Sequence, residues 1–145
     1  LKVHLHFPHK IKNSAIQQLV EQYCRFARRY VKVEWTTRPI RTPQGNARPE
    51  LLEALKTGRG VLLSEHGKAV DTHWFRDAVD RALTTSQPLH FVVGDAYGYP
   101  PEIEQSCPDK IALTPLTLPH EMALMILTEQ VWRAISMLRN HPYHK

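Results

Sequence analysis

The sequence predicts an α/β fold built on a mainly parallel sheet of about five strands flanked by helices. Three observations carry this expectation. Short apolar runs, Val61-Leu62-Leu63 and residues 89–93, are bounded by turn residues, as buried strands are. Between such runs lie stretches in which apolar residues recur every three or four positions, the period of an amphipathic helix. The two kinds of segment alternate along the chain, and continuous apolar strands alternating with helices place helices on both faces of a parallel sheet.

Each element follows in order. Residues 2–7 alternate polar with apolar and stop at Pro8, which reads as a strand. Asn13 or Ser14 can cap a helix whose inner face is Ile16, Leu19, Val20, Tyr23 and Phe26, and which closes near Arg28 and Arg29, where positive charge suits the helix dipole. Residues 31–35 form a second strand. A loop over 37–49 follows, rich in Pro, Gly and Arg and without apolar period. A short helix over 49–56 stops at Gly58, and strand 61–63 leads into a turn at Glu65-His66-Gly67-Lys68. Asp71 or Thr72 caps the next helix, with Trp74, Phe75, Ala78, Val79 and Ala82 facing inward, and Pro88 separates it from strand 89–93. The loop Gly94-Asp95-Ala96-Tyr97-Gly98, a brief helix over 101–106, a strand over 110–113 and a helix from 119 to near 138 complete the pattern.

At 145 residues the chain reads as one domain spanning 1–145, long enough to bury a core without disulfide or metal support. A hydrophobic share of 42% with 23% charged residues excludes a disordered or fibrous chain. Nineteen Lys and Arg against fourteen Asp and Glu give +5, with nine His besides, a mild bias toward a polyanionic partner. Cys24 and Cys107 lack CxxC spacing and read as packing thiols in a reducing compartment. The most apolar stretch, 122–138, is interrupted by Glu129, Gln130 and Arg133, too polar for a bilayer span, and residues 1–10 lack the apolar run of a secretion signal. The expectation is a cytoplasmic protein with no membrane partner. The first residue is Leu rather than Met, which reads as an omitted start residue.

In parallel sheets ligands bind where loops leave the carboxyl ends of the strands. Three segments qualify: the turn after Leu63, the loop 94–98, and residues 113–118. Gly94 and Gly98 either serve a turn or let the backbone approach a ligand closely, since neither carries a Cβ.

The C-terminal third narrows the choice. Leu116-Thr117-Leu118-Pro119-His120, a long helix containing Glu129-Gln130-Val131-Trp132-Arg133-Ala134, and the ending Asn140-His141-Pro142-Tyr143-His144-Lys145 closely resemble the signature of the ribosomal RNA large subunit methyltransferase H family, in the SPOUT superfamily. Gly67-Lys68 and Val92-Val93-Gly94 also fall where that family has equivalents. The resemblance implies a SPOUT-type α/β knot with a C-terminal trefoil, which no periodicity could reveal. It also implies a homodimer that binds S-adenosyl-L-methionine through Leu63, Gly94, Leu113, Thr114, Pro115, Leu116, Thr117 and Leu118, with Asp95 and Gly98 in the adjoining loop. The implied reaction is methylation of N3 of a pseudouridine in 23S large-subunit rRNA, within the assembled ribosome.

That acceptor nitrogen is imide-like and must lose its proton. His120, Tyr143 and His144 are the titratable candidates, and Arg133 could stabilise a developing oxyanion. Each also has a plainer reading. His120 can be a helix-start residue packed beside Pro119, Arg133 can pair with Glu129 at four-residue spacing, and Tyr143 and His144 lie in a tail that otherwise would fray.

The chain departs from the family at two positions. Asp95 stands where the family has a second glycine, and can hydrogen-bond a ligand or narrow the pocket. Leu124 stands where Arg is common, which predicts one missing phosphate or substrate contact. The segment between the second and third strands is also short. These departures motivate two alternatives: a catalytically impaired, ribosome-associated RNA-binding factor, or a methyltransferase for another RNA site. Arg38, Arg41 and Arg48 can grip phosphates or form a solvated face. His4, His6 and His9 read as polar alternate positions of a strand, since no Cys or carboxylate completes a ligand set; no metal is expected there, nor at Glu65-His66 or Asp71-Thr72-His73.

Overall fold

Alternating elements run the length of the computed structural model, which describes residues 2–145. The strands are β1 (Lys2–Phe7), β2 (Lys32–Thr37), β3 (Arg59–Ala69), β4 (Leu89–Val93) and β5 (Asp109–Ala112). The helices are α1 (Ser14–Ala27), α2 (Pro49–Lys56), α3 (Thr72–Thr85), α4 (Pro101–Ser106) and α5 (His120–Leu138), and a 3-10 turn, Pro142–His144, ends the chain. The strands form one sheet in the order β2-β1-β4-β3-β5, with every neighbouring pair parallel. The α/β expectation holds, with element limits shifted by a residue or two except at β3.

Alternation of side chains along the strands sorts the core into two layers. Val3, Leu5 and Phe7 of β1, Val61 and Leu63 of β3, and Leu89, Phe91 and Val93 of β4 pack with α1, α3 and α5. Leu62 and Val92 face the other side, where Ile40, Leu51, Leu55 and Ile103 cover them. Each fully buried Leu or Phe contributes about 1.5–3 kcal/mol relative to exposure. Leu124 is fully buried in the first layer, where its side chain fills the core.

Local signals start the helices where the sequence placed them. The Asn13 side chain accepts from Ala15 N at 3.0 Å and Ile16 N at 3.2 Å, and Asp71 Oδ1 accepts from Trp74 N at 3.0 Å. Such caps contribute about 1 kcal/mol each. Glu121 then ties two helix starts together, its carboxylate accepting from Lys12 N at 2.9 Å and Asn13 N at 3.0 Å.

One element differs in kind. The predicted turn at 65–68 lies inside the eleven-residue strand β3. Leu63 and Lys68 both pair with Ile111, so residues 64–67 bulge outward and the strand rejoins β5 beyond them. Gly67 makes the crossing possible, because a Cβ there would lie 2.6 Å from the backbone carbon of Ile111. Pairing with β5 thus overrides the turn propensity of the segment, and the bulge projects its side chains over the carboxyl edge of the sheet. Among the described residues no helix is long and apolar enough to cross a membrane.

Candidate active site

The carboxyl ends of β3, β4 and β5 open into a cleft of about 520 Å³. That size suits a drug-sized or cofactor-sized ligand. Leu63, Gly94, Asp95, Gly98, Leu113, Thr114, Leu116, Thr117, Leu118 and His120 all line it, so the sequence-predicted cofactor residues converge with one predicted catalytic residue. Pro115 does not line the cleft, although both of its neighbours in the segment do. Pro115 is exposed, at a bend between Thr114 and Leu116.

The loop 94–98 owes its shape to its own polar groups. Gly98 adopts a φ of +82°, a left-handed conformation that glycine tolerates without strain, and its N–H donates to Asp95 O at 3.1 Å. Asp95 Oδ1 accepts from Tyr97 N at 2.9 Å. The other carboxylate oxygen of Asp95 accepts from Arg41 Nε at 3.0 Å, which fastens the loop to the 38–48 segment. Of the three loop arginines offered as phosphate contacts, Arg41 is therefore held at the cleft and Arg48 is turned onto Pro39 O at 2.6 Å.

Tyr99, which no sequence signal singled out, closes the floor. Its hydroxyl lies 2.6 Å from Leu63 O and 2.7 Å from Val92 O, and its one proton is donated across that pair, joining the ends of β3 and β4. Burial pushes its phenol pKa up, so it remains a donor. Gly94 lies against the Tyr99 ring, where a Cβ would meet Cζ at 3.0 Å. From the bulge, Glu65 accepts a hydrogen bond from Thr117 Oγ1 at 3.0 Å, a link that sequence reasoning also missed.

Arg133, Tyr143 and His144 do not line this cleft. They gather instead around Glu129. Glu129 Oε1 accepts from Arg133 Nε at 2.8 Å and from the Tyr143 hydroxyl at 3.0 Å, and the Arg133 guanidinium lies 5.1 Å from the centre of the Tyr143 ring. The plainer reading of Arg133, a pair with Glu129, is thus realised. Burial, followed by the hydrogen bond to Glu129, pushes the Tyr143 phenol up to about 12, so Tyr143 is a poor base near neutrality. His144 is different. Ser136 Oγ donates to Arg133 O at 2.8 Å and lies 3.2 Å from His144 Nδ1. With its only proton spent, Ser136 must accept from His144 Nδ1–H, which leaves the Nε2 lone pair of His144 free.

Leu63, Val93, Leu113 and Leu118 offer apolar contacts, the backbone at Gly94 is bare, and Glu65 supplies a carboxylate for a cationic group. A family model described as "Predicted SPOUT methyltransferase" matches residues 1–144. The chain belongs to the SPOUT methyltransferase family. A relative named Ribosomal RNA large subunit methyltransferase H, from Aliarcobacter butzleri, is 30% identical over 100% of both chains. One of the same name from Wolinella succinogenes is 36% identical over 91 residues, 63% of this chain and 56% of that protein. Among solved structures, the A. aeolicus TrmH/SpoU tRNA modifying enzyme superposes with a TM-score of 0.53 at 15% identity, covering 96% of this SPOUT chain and 75% of that one. At that identity the likeness concerns the fold alone.

Proposed function

We propose that this SPOUT chain is an S-adenosyl-L-methionine-dependent methyltransferase of large-subunit rRNA, transferring a methyl group to N3 of a pseudouridine in 23S rRNA on the assembled ribosome in the cytoplasm. The observation that carries the reading is the cleft, where the bulge of β3, the loop 94–98, residues 113–118 and His120 meet. The name shared by the relatives supplies the substrate class. The sulfonium donor, when bound, supplies an already activated methyl group, so the protein's part is orientation and proton management.

Leu63, Leu113 and Leu118 would flank the adenine, the bare backbone at Gly94 would admit it closely, and Glu65 would face the donor's amino group. His120 at the start of α5 lines the same cleft and can take the acceptor proton. Arg133 and His144 lie elsewhere on the protomer, so their part in the reaction requires a second copy whose tail reaches this cleft. We read the protein as a homodimer on that ground, with the C-terminal segment knotted as in its family.

The Asp95 carboxylate is engaged by Arg41, so that departure from the family motif does not favour the impaired-factor alternative. Incubation with ribosomes lacking the modification and labelled donor tests the reading, with label at one pseudouridine expected. Donor bound without label transferred would overturn this substrate, and label mapped by mass to another nucleotide would assign the other RNA site.

A further inference from the structure

On the sheet face opposite α1, α3 and α5, three histidines stand together. His4 of β1 is in register with His90 of β4, and His6 is two positions along the same strand face. His6 Nε2 lies 3.1 Å from His90 Nδ1, and the His4 and His6 rings stack with centroids 3.9 Å apart. One ring nitrogen from each of the three lies within 4.8 Å of the others. His9, which the sequence grouped with His4 and His6, is not part of the cluster. His90 lies 84 positions from His6 and carried no local signal.

The surroundings preset these rings. Thr57 Oγ1 donates to Ala54 O at 2.6 Å, so it must accept from His90 Nε2 at 3.2 Å. The proton of His90 is therefore on Nε2, and its Nδ1 lone pair points at His6. His4 Nε2 likewise meets a hydroxyl, Thr36 Oγ1, at 3.1 Å. A ring whose far edge is held by an outer partner is how metal-binding imidazoles are oriented. His6 and His90 are 7% and 2% exposed, in a layer whose buried core is mainly leucine, isoleucine and valine. Burying polar rings there costs free energy that a fully apolar strand face would not.

We propose that His4, His6 and His90 bind one divalent transition-metal ion of the zinc class between β1 and β4, with solvent as the fourth ligand. Three neutral imidazoles without a thiolate suit such ions, whereas magnesium and calcium require oxygen ligands. Metal to nitrogen bonds of about 2.0–2.1 Å in a tetrahedron place the nitrogens about 3.3 Å apart. The His6–His90 pair is near that spacing already, and rotation of His4, the least buried of the three, closes the rest. The ion takes the place of the proton that His6 Nε2 shares with His90 Nδ1; that proton moves to His6 Nδ1, so the imidazole stays neutral. None of the three lines the methyltransferase cleft, and the proposal stands independently of the proposed reaction.

Chelator-treated full-length protein titrated with Zn²⁺ by calorimetry, and with Co²⁺ by visible absorption, tests this. The expected result is about one equivalent per chain with tetrahedral Co²⁺ bands and a raised melting temperature. His4→Gln and His90→Gln should each weaken binding at least ~10-fold, whereas His66→Gln at an exposed site should not. Because removal of His90 strands Thr57 and His6, His4→Gln is the variant that preserves the buried pair and its fold. Absence of a saturable equivalent, or unchanged affinity in His4→Gln, overturns the proposal.

Discussion

Arg41 clamps Asp95 across the rim of the cleft, with Nε donating to Oδ2 at 3.0 Å and Nη2 donating to Tyr97 O at 3.3 Å. The pair converts a departure from the family's glycine motif into a brace. Both side chains are about one-fifth exposed, at 23% and 22%.

Arg41→Ala should therefore loosen the loop 94–98 and leave Asp95 uncompensated beside the proposed donor site. A partly exposed pair of this kind contributes about 0.5–1 kcal/mol, so donor affinity should fall ~2- to 5-fold by calorimetry, with a small change in stability. Asp95→Gly in the Arg41→Ala background should restore part of that affinity. Unchanged donor binding in Arg41→Ala would remove the brace from the account.

Gly94→Ala should be more severe. The added methyl meets the Tyr99 ring at 3.0–3.3 Å, and that ring is pinned through its hydroxyl to Leu63 O and Val92 O. Overpacking at such a site costs about 1–3 kcal/mol. Tyr99→Phe keeps the ring and removes the tie, at about 1–2 kcal/mol. Urea denaturation of both variants, alongside donor binding, checks this; Gly94→Ala with wild-type stability and affinity would contradict the packing described.

What the sequence made legible was local. Asn13 and Asp71 mark helix starts within a few residues of the amides they cap, and the apolar period of 72–85 needs no distant partner. The relationships that build the site are long-range. Arg41 and Asp95 are 54 positions apart, Tyr99 and Leu63 36 apart, and the bulge at 64–67 exists because Ile111 pairs twice. The motif brought residues 116–120 to notice and they do line the cleft, but the separation of His120 from Arg133, Tyr143 and His144 depends on which way α5 and the tail face.

The thiols give a third prediction. Burial pushes Cys24 up to about 11 and Cys107 up to about 12. A raised pKa keeps each thiol protonated, and so poorly nucleophilic, at every pH below that value. Native protein should take up almost no iodoacetamide at pH 8, and both thiols should react once it is unfolded in guanidinium. Rapid labelling of Cys24 in the native state would contradict its burial, and rapid labelling of the half-buried Cys107 would contradict its raised pKa.

The division of candidate groups between cleft and tail gives a fourth. If His144 acts in its partner's cleft while His120 acts in its own, two inactive variants should complement. In a mixed dimer of His120→Ala and His144→Ala chains, one cleft carries both defects and the other carries neither. Random subunit exchange makes half of the dimers mixed, so activity should return to about a quarter of wild type. The His144 lone pair, set by Ser136, gives the added expectation that Ser136→Ala lowers kcat without changing donor affinity. If both residues served the same protomer's cleft, every site in the mixture would hold one defect and no activity would return, which would place the tail's role outside the partner's cleft.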